Sequence, residues 1–291
     1  MSYNCVVLVK QVPDTKRITG RAMNDDGTVN RAALPAIFNP EDLNSLEMAL
    51  DVKDRYGGRV TVITMGLPAA TAVLREALYR GADEAILITD RRCAASDTLA
   101  TSYILSCAVR KLNYDLVLCG RQAIDGDTAQ VGPQVAEKLG IPQVTYLEGI
   151  IELNGGTLVA RRNIGNGWQD VRASLPVLVT VIDEANEPRV AAAKRLMKYK
   201  DATSLAELAA SSNGDVEQRA RLLEEKGLLI KQWDLDDLGA DLAWCGRDGS
   251  PTKVHRIQSV VLEAKESKVV EATPAGISAM VHELINDHTI G

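Results

Sequence analysis

Residues 5–15 read CVVLVKQVPDT. The run CVVLVK is continuously apolar up to its lysine, as a strand buried on both faces of a parallel sheet must be. The polar QVPDT then marks that strand's carboxyl end. Outward from this strand the chain alternates strand and helix patterns. Asn39-Pro40-Glu41-Asp42 opens a helix: an N-cap type, proline at the first position, and acids facing the positive end of the dipole. Leu43, Leu46, Ala49 and Leu50 follow at helical spacing. RVTVIT (59–64) is the next strand, and Met65-Gly66-Leu67-Pro68 leads into a helix stopped at Gly81. EAILIT (84–89) is a third strand. Ser96-Asp97-Thr98 caps a helix with a stripe of Ala100, Ile104, Cys107, Ala108 and Leu112. DLVLC (115–119) is a fourth strand, followed by a loop at 120–128 and a short helix ending at Gly140.

Beyond this the texture changes. Residues 150–153 and 157–160 flank Asn154-Gly155-Gly156 and read as a β-hairpin. Residues 168–173 read as another antiparallel strand, and 177–181 as a return to the buried type. After Pro188 the alternation is lost. Residues 201–232 are polar and helix-prone, with Val216 to Lys226 the clearest helix, and the stretch from Thr273 to Asp287 ends in an amphipathic helix. The expected organisation is an α/β domain over 1–200, a variable helical insertion over 201–232, and a C-terminal arm over 233–291. An arm without a core of its own is expected to pack on something else.

Composition narrows the function. A net charge of −6 gives no basic face for nucleic acid. No apolar stretch reaches the roughly 18 residues of a membrane span, and the N-terminus shows no targeting pattern, so a cytoplasmic location is expected. The five cysteines (Cys5, Cys93, Cys107, Cys119, Cys245) show no metal-binding or redox spacing, and no metal site is expected. All three histidines (His255, His282, His288) lie late in the chain, far in sequence from the strand ends, and no catalytic constellation emerges.

In an open α/β sheet, ligands sit beyond the carboxyl ends of the strands. The polar and glycine residues of this chain fall there: Gln11 to Thr15, Met65-Gly66, Ser96-Asp97-Thr98, and the loop from Gly120 to Thr128. Helix starts at Asp97 and near Thr128 offer N–H groups to a phosphate. Gly120 and Gly126 permit close backbone approach, and Asp125 and Asp127 can accept from ribose or adenine. Each also serves as a cap or turn residue in any α/β protein; it is their concentration at one sheet edge that points to a nucleotide. The dinucleotide and P-loop glycine fingerprints are both absent.

The string GRQAIDGDTAQVGP (120–133) closely resembles the nucleotide loop of electron-transfer flavoprotein beta subunits. VLVKQVPDT (7–15), FNPED (38–42), SDTLATS (96–102) and NEPR (186–189) fall in that family's order and spacing. The resemblance covers residues 1–200 and resumes from 233. It implies an open, mostly parallel α/β sheet with helices on both faces, Rossmann-like and adenine-nucleotide-binding, plus a C-terminal arm wrapping a partner alpha subunit that holds its own FAD. The beta subunit holds AMP in the simple type and a second FAD in the electron-bifurcating type. The small residues after the aspartates, Gly126 and Ala129, resemble the bifurcating version, where they leave room for a pyrophosphate and flavin. FAD is therefore the expected cofactor and AMP the alternative, with NAD a transient substrate.

Carried over by position, Leu8, Asn39 and Met65 line the adenosine and phosphates, together with Asp125, Gly126, Asp127, Thr128, Ala129, Gln130, Val131, Gly132, Pro133 and the helix behind them to Ala136. Asp97, Thr98 and Thr101 approach the flavin. Asp42, Gly66, Gly120 and Gln122 complete the cofactor-binding set, with Arg121 a candidate for tuning the potential or a surface cation. Thr98 and Thr101 read equally as helix-cap hydroxyls. The resemblance further implies transfer of hydride from NADH and division of electrons between a low-potential acceptor (ferredoxin or flavodoxin) and a dehydrogenase. Glu187, Arg189, Ala193 and Lys194 belong to the implied partner-recognition loop at 186–200. Ala193 departs from the family there, standing where a leucine often anchors into an acyl-CoA dehydrogenase. A reading of another class, a free nucleotide sensor of the universal-stress type, shares the sheet architecture but leaves the arm unexplained.

Overall fold

A computed structural model describes residues 2–14, 34–211, 215–252 and 269–286. The readings at Thr15, His255 and His288, at 212–214 and at 287–291 lie outside the described residues. In chain order the first elements are β1 (Cys5–Leu8), β2 (Gln11–Pro13), β3 (Ala36–Phe38), α1 (Pro40–Tyr56), β4 (Val60–Met65) and α2 (Thr71–Arg80). Next come β5 (Glu84–Ile88), α3 (Thr98–Val109), β6 (Leu116–Gly120), α4 (Val131–Leu139), β7 (Gln143–Asn154), β8 (Thr157–Asn163), β9 (Trp168–Ser174) and β10 (Val177–Val181). The remainder is α5 (Ala193–Tyr199), β11 (Thr203–Ser204), α6 (Leu205–Ser211), α7 (Val216–Glu225), β12 (Leu229–Trp233), α8 (Leu235–Leu238) and α9 (Pro274–Asn286).

Among the described residues, ten strands form one sheet in the order β11-β12-β5-β4-β1-β6-β10-β7-β8-β9. Pairing is parallel from β11 through β7 and antiparallel across β7, β8 and β9. The apolar strand runs have a simple cause. Cys5 and Val7 of β1 point into one core with α1 and α2, which supply Leu46, Leu50, Leu74 and Ala77. Val6 and Leu8 point into the opposite core with α3, α4 and α8, which supply Ile104, Val135 and Leu235. The fold is α/β, a large mostly parallel sheet flanked by helices. No described helix is long and apolar enough to cross a membrane.

The order around β1 positions the site. From β1 the chain winds outward to β4 and β5, then returns across β1 to β6 and β10. The winding reverses between β1 and β6, and the carboxyl ends of those strands open a crevice there.

Two departures from the sequence reading concern the sheet edges. The first residues of β7 run parallel to β10 before the strand turns into the hairpin, whose Gly155 and Gly156 take φ of 57° and 80°. Residues 201–232 contain helices but also β11 and β12, and β12 lies against β5. Ala202, Leu208 and Ile230 are buried there, so this segment extends the sheet while α7 carries the polar, exposed residues. In α9 no side chain is buried, and Ile277, Met280, Val281 and Ile285 are exposed.

Candidate functional site

At the crevice, the start of α1 meets the loop that follows β6. Asn39 occupies the N-cap position, yet its side chain makes no cap hydrogen bond. It reaches instead across the crevice: Nδ2 donates to Gln122 O (2.9 Å), and Ile124 N–H donates to Oδ1 (3.1 Å). Glu41 accepts from Arg121 Nη2 (2.6 Å) and from the Gln122 amide (2.9 Å). Asp42 accepts from Lys10 N–H (2.8 Å) and Gly120 N–H (3.0 Å), bridging the ends of β1 and β6. The acids of this turn, read from sequence as complements to the helix dipole, thus also hold the loop. All three side chains are buried.

That burial shifts Asp42. Loss of water pushes its carboxyl up to about 7, against the lowering effect of Asn39 and of the Lys10 and Gly120 amides. Burial likewise raises the neighbouring Cys119 thiol, and Asp42 and Glu41 add to the effect. Burial works against the Arg121 cation, but Glu41 together with Asp183 and Tyr146 outweighs it and keeps the guanidinium charged.

Glycines make the close approach possible. A Cβ on Gly120 would lie 2.6 Å from Asp42 Oδ1 and 2.8 Å from Glu41 C. One on Gly132 would lie 2.8 Å from both Cys119 Sγ and Thr180 Cγ2, so the start of α4 packs directly on β6 and β10. Between them the chain stands out from the fold. Among the described residues, nothing lies within 4 Å of a Cβ built on Gly126. Asp127 and Ala129 adopt left-handed φ of 48° and 52°, a conformation that costs a non-glycine residue roughly 1–2 kcal/mol. Lys10 Nζ reaches Asp125 Oδ1 at 2.7 Å.

On the far side of the crevice, Asp97 caps α3 through Ala100 N–H (2.9 Å) and also accepts from Thr252 N–H (2.9 Å). Burial opposes its ionisation, but these donors prevail and hold the carboxyl below its usual range. Thr98 Oγ1 donates to Gln130 Oε1 (2.8 Å), joining the starts of α3 and α4. The buried Gln134 Oε1 and Arg121 Nε have no hydrogen-bond partner among the described residues.

Hydrogen bonds thus bring Asn39, Asp42, Gly120, Arg121 and Gln122 together on one side, and Asp97, Thr98 and Gln130 on the other. Met65 is half-buried at the end of β4, and Gly66 donates to Ile88 O (3.0 Å). Leu8 points into the core. Thr101 is half-buried on α3. Arg121 turns toward β7, its guanidinium carbon 5.7 Å from the centre of the Tyr146 ring. Tyr146 holds a left-handed φ of 57°. Sequence reasoning missed Lys10, Glu41 and Tyr146 as site residues; only the acidity of Glu41 and the lysine following β1 hinted at the first two, whereas Gln134 falls within the expected lining to Ala136. In the 186–200 segment, Arg189 is drawn onto α1 by Glu47 (Nε to Oε2, 2.8 Å) and Asp54 (3.0 Å). Glu187, Ala193 and Lys194 are exposed, as are Val190, Leu196 and Met197.

The electron transfer flavoprotein domain model matches residues 26–217. An electron transfer flavoprotein subunit beta from Clostridium acetobutylicum is 41% identical over 287 residues, covering 99% of this chain and 100% of the relative. This chain belongs to the electron-transfer flavoprotein family. Protein FixA of Bradyrhizobium diazoefficiens is 37% identical over 95% of the chain and 89% of its own length. An acryloyl-CoA reductase electron transfer subunit gamma from Anaerotignum propionicum is 51% identical over 63% of the chain and 69% of its own length. Membership as a beta subunit brings electron transfer alongside an alpha-subunit partner, and a flavin or AMP as the family's ligand.

Proposed function

We propose that this chain is the FAD-holding beta subunit of a bifurcating or confurcating electron-transfer flavoprotein in the cytoplasm. It would exchange hydride with NADH or NAD, and pass electrons between a low-potential acceptor such as ferredoxin or flavodoxin and a dehydrogenase by way of the alpha subunit's FAD. The observation that carries this reading is the pairing of a rigid loop base with open space above it. Residues 120–124 are held to α1, whereas a Cβ on Gly126 would meet no described residue within 4 Å.

The donor set fits an adenine nucleotide. The starts of α3 and α4 converge on the crevice, where their N–H groups favour a phosphate, and the buried Gln134 Oε1 is available to a ligand donor. Asp125, Gly126, Asp127, Thr128 and Ala129 would follow the phosphates, with Gln130, Val131, Gly132 and Pro133 behind them. Met65 and Gly66 would meet the adenosine beside the Leu8 end of β1. Thr98 and Thr101 would face the isoalloxazine. Bound FAD would supply hydride and single-electron chemistry; the chain supplies position, charge and exclusion of water. Asp97 is already committed to its cap and to Thr252, and orients Thr98 through the helix start.

Glu187, Arg189, Ala193 and Lys194 would meet a dehydrogenase. The acryloyl-CoA reductase relative supports a CoA-ester reductase or dehydrogenase as that partner. α9 would pack on the alpha subunit. Anaerobic mixing of the native complex with NADH tests the reading. Rapid loss of flavin absorbance is expected; a complex that stays oxidised is instead the simple carrier, with AMP in this chain.

A further inference from the structure

The family resemblance gives Glu41 no role and sets Asn39 and Asp42 among the ligand-binding residues. The hydrogen bonds divide the labour differently. Asn39 is fully buried, and both polar atoms of its amide are used on Gln122 and Ile124. Both Asp42 oxygens are used on the amides of Lys10 and Gly120. Both Glu41 oxygens are used as well, one on the Gln122 amide and one on Arg121. The missing Cβ of Gly120 is what lets this turn close against the strand end.

We propose that Glu41, with Asn39 and Asp42, is a positioning residue: the first turn of α1 fixes the backbone of residues 120–124 so that the exposed half of the loop is presented in binding-competent form. The inference rests on that loop holding the nucleotide. Preorganisation of this kind lowers the ordering cost that a ligand would otherwise meet. It acts through the loop, so none of the three side chains needs to contact the ligand. Glu41 is the informative member because its two oxygens serve different groups. Glutamine there keeps one oxygen for the Gln122 amide but replaces the oxygen facing Arg121 with a donor. Leucine keeps neither.

The test uses the native heterodimer carrying Glu41→Gln or Glu41→Leu, with amide hydrogen exchange and nucleotide dissociation measured on the same samples. For Glu41→Leu, exchange at Gln122 and nucleotide release should both accelerate about ten-fold or more, the ratio for a lost charge-assisted hydrogen bond. Glu41→Gln should restore most of the Gln122 protection and most of the retention. The Lys10 amide, held by Asp42, should stay protected in both variants and reports that the fold is intact. Unchanged exchange at Gln122 in Glu41→Leu would overturn the proposal, as would a glutamine variant no better than leucine. If the complex holds no adenine nucleotide in this chain, exchange at Gln122 still reads the positioning. Acceleration would then support the loop contact while rejecting the ligand reading.

Discussion

Lys10 Nζ lies 2.7 Å from Asp125 Oδ1 and 2.8 Å from Oδ2, so the ammonium at the end of β1 ties down the loop that follows β6. This tie spans the crevice from outside, whereas the α1 turn holds the loop from within. Its side chains are 49% and 23% exposed, so solvent and salt screen it. A pair of this kind is worth no more than about 1 kcal/mol. Lys10→Met should therefore speed nucleotide release only about five-fold or less at low salt, and the difference from wild type should shrink at high salt, where the Debye length falls to a few ångströms (about 3 Å at 1 M). Stopped-flow dilution at two ionic strengths measures both. A large, salt-independent loss would show that Lys10 does more than pin the loop.

Two glycines of the same loop should behave in opposite ways. Gly120→Ala drives a methyl into Asp42 and Glu41, and overpacking at a buried site costs about 1–3 kcal/mol. Thermal unfolding should register it whether or not a ligand is bound. Gly126→Val enters open space, so stability should hold within about 0.5 kcal/mol. If phosphates pass there, the nucleotide content of the purified complex should drop sharply in the same variant. Retained nucleotide in Gly126→Val would place the ligand elsewhere.

Asp42 gives a pH signature. Its folded carboxyl titrates at about 7, against 3.8 for the unperturbed group. Below pH ~4 folded and unfolded chains both carry the proton. Between pH ~4 and ~7 the folded chain keeps a proton that the unfolded chain has released, so this group's contribution to stability falls as pH rises, then levels off. Asp42→Asn removes the titration and imposes a constant loss of one acceptor. The stability of Asp42→Asn relative to wild type should accordingly improve as the pH is raised across that window, as read from denaturant midpoints. A pH-independent difference would contradict the assignment.

The 186–192 segment hangs on Arg189. Its backbone N–H donates to Glu47 Oε2 at 2.9 Å, while Nε and Nη2 grip the same carboxylate. Charge-assisted bonds of this kind contribute about 1.5–3 kcal/mol. Glu47→Ala should lower stability by about that amount and make the segment near Val190 markedly more sensitive to limited proteolysis. Equal cleavage rates in wild type and variant would rule out this anchor.

The central strands were legible because each is buried on both faces: CVVLVK, EAILIT and DLVLC leave no polar alternation to confuse the pattern. Leu229 to Trp233, LIKQW, was not, because the two-residue β11 covers only Leu229 and Ile230, so Lys231 is exposed and mixes the signal. The loop at 120–133 was legible through its glycines and aspartates, which are needed for local backbone reasons. Its supports were hidden. Asn39 and Asp42 look like ordinary helix-start residues, and the partners they choose lie about eighty positions away in sequence (separations of 83 and 78). Lys10 and Asp125 are separated by 115 positions. Local propensity cannot report a tertiary acceptor. Nor does the sequence pattern betray that Arg121 lies beside the Tyr146 ring, or that Tyr146 takes a left-handed φ.

The most direct measurement is a nucleotide count on the native heterodimer after denaturation, with FAD and AMP separated chromatographically. Two FAD per heterodimer and no AMP is the predicted result. One FAD accompanied by one AMP would contradict it, and would leave this chain with a structural nucleotide in place of a redox centre.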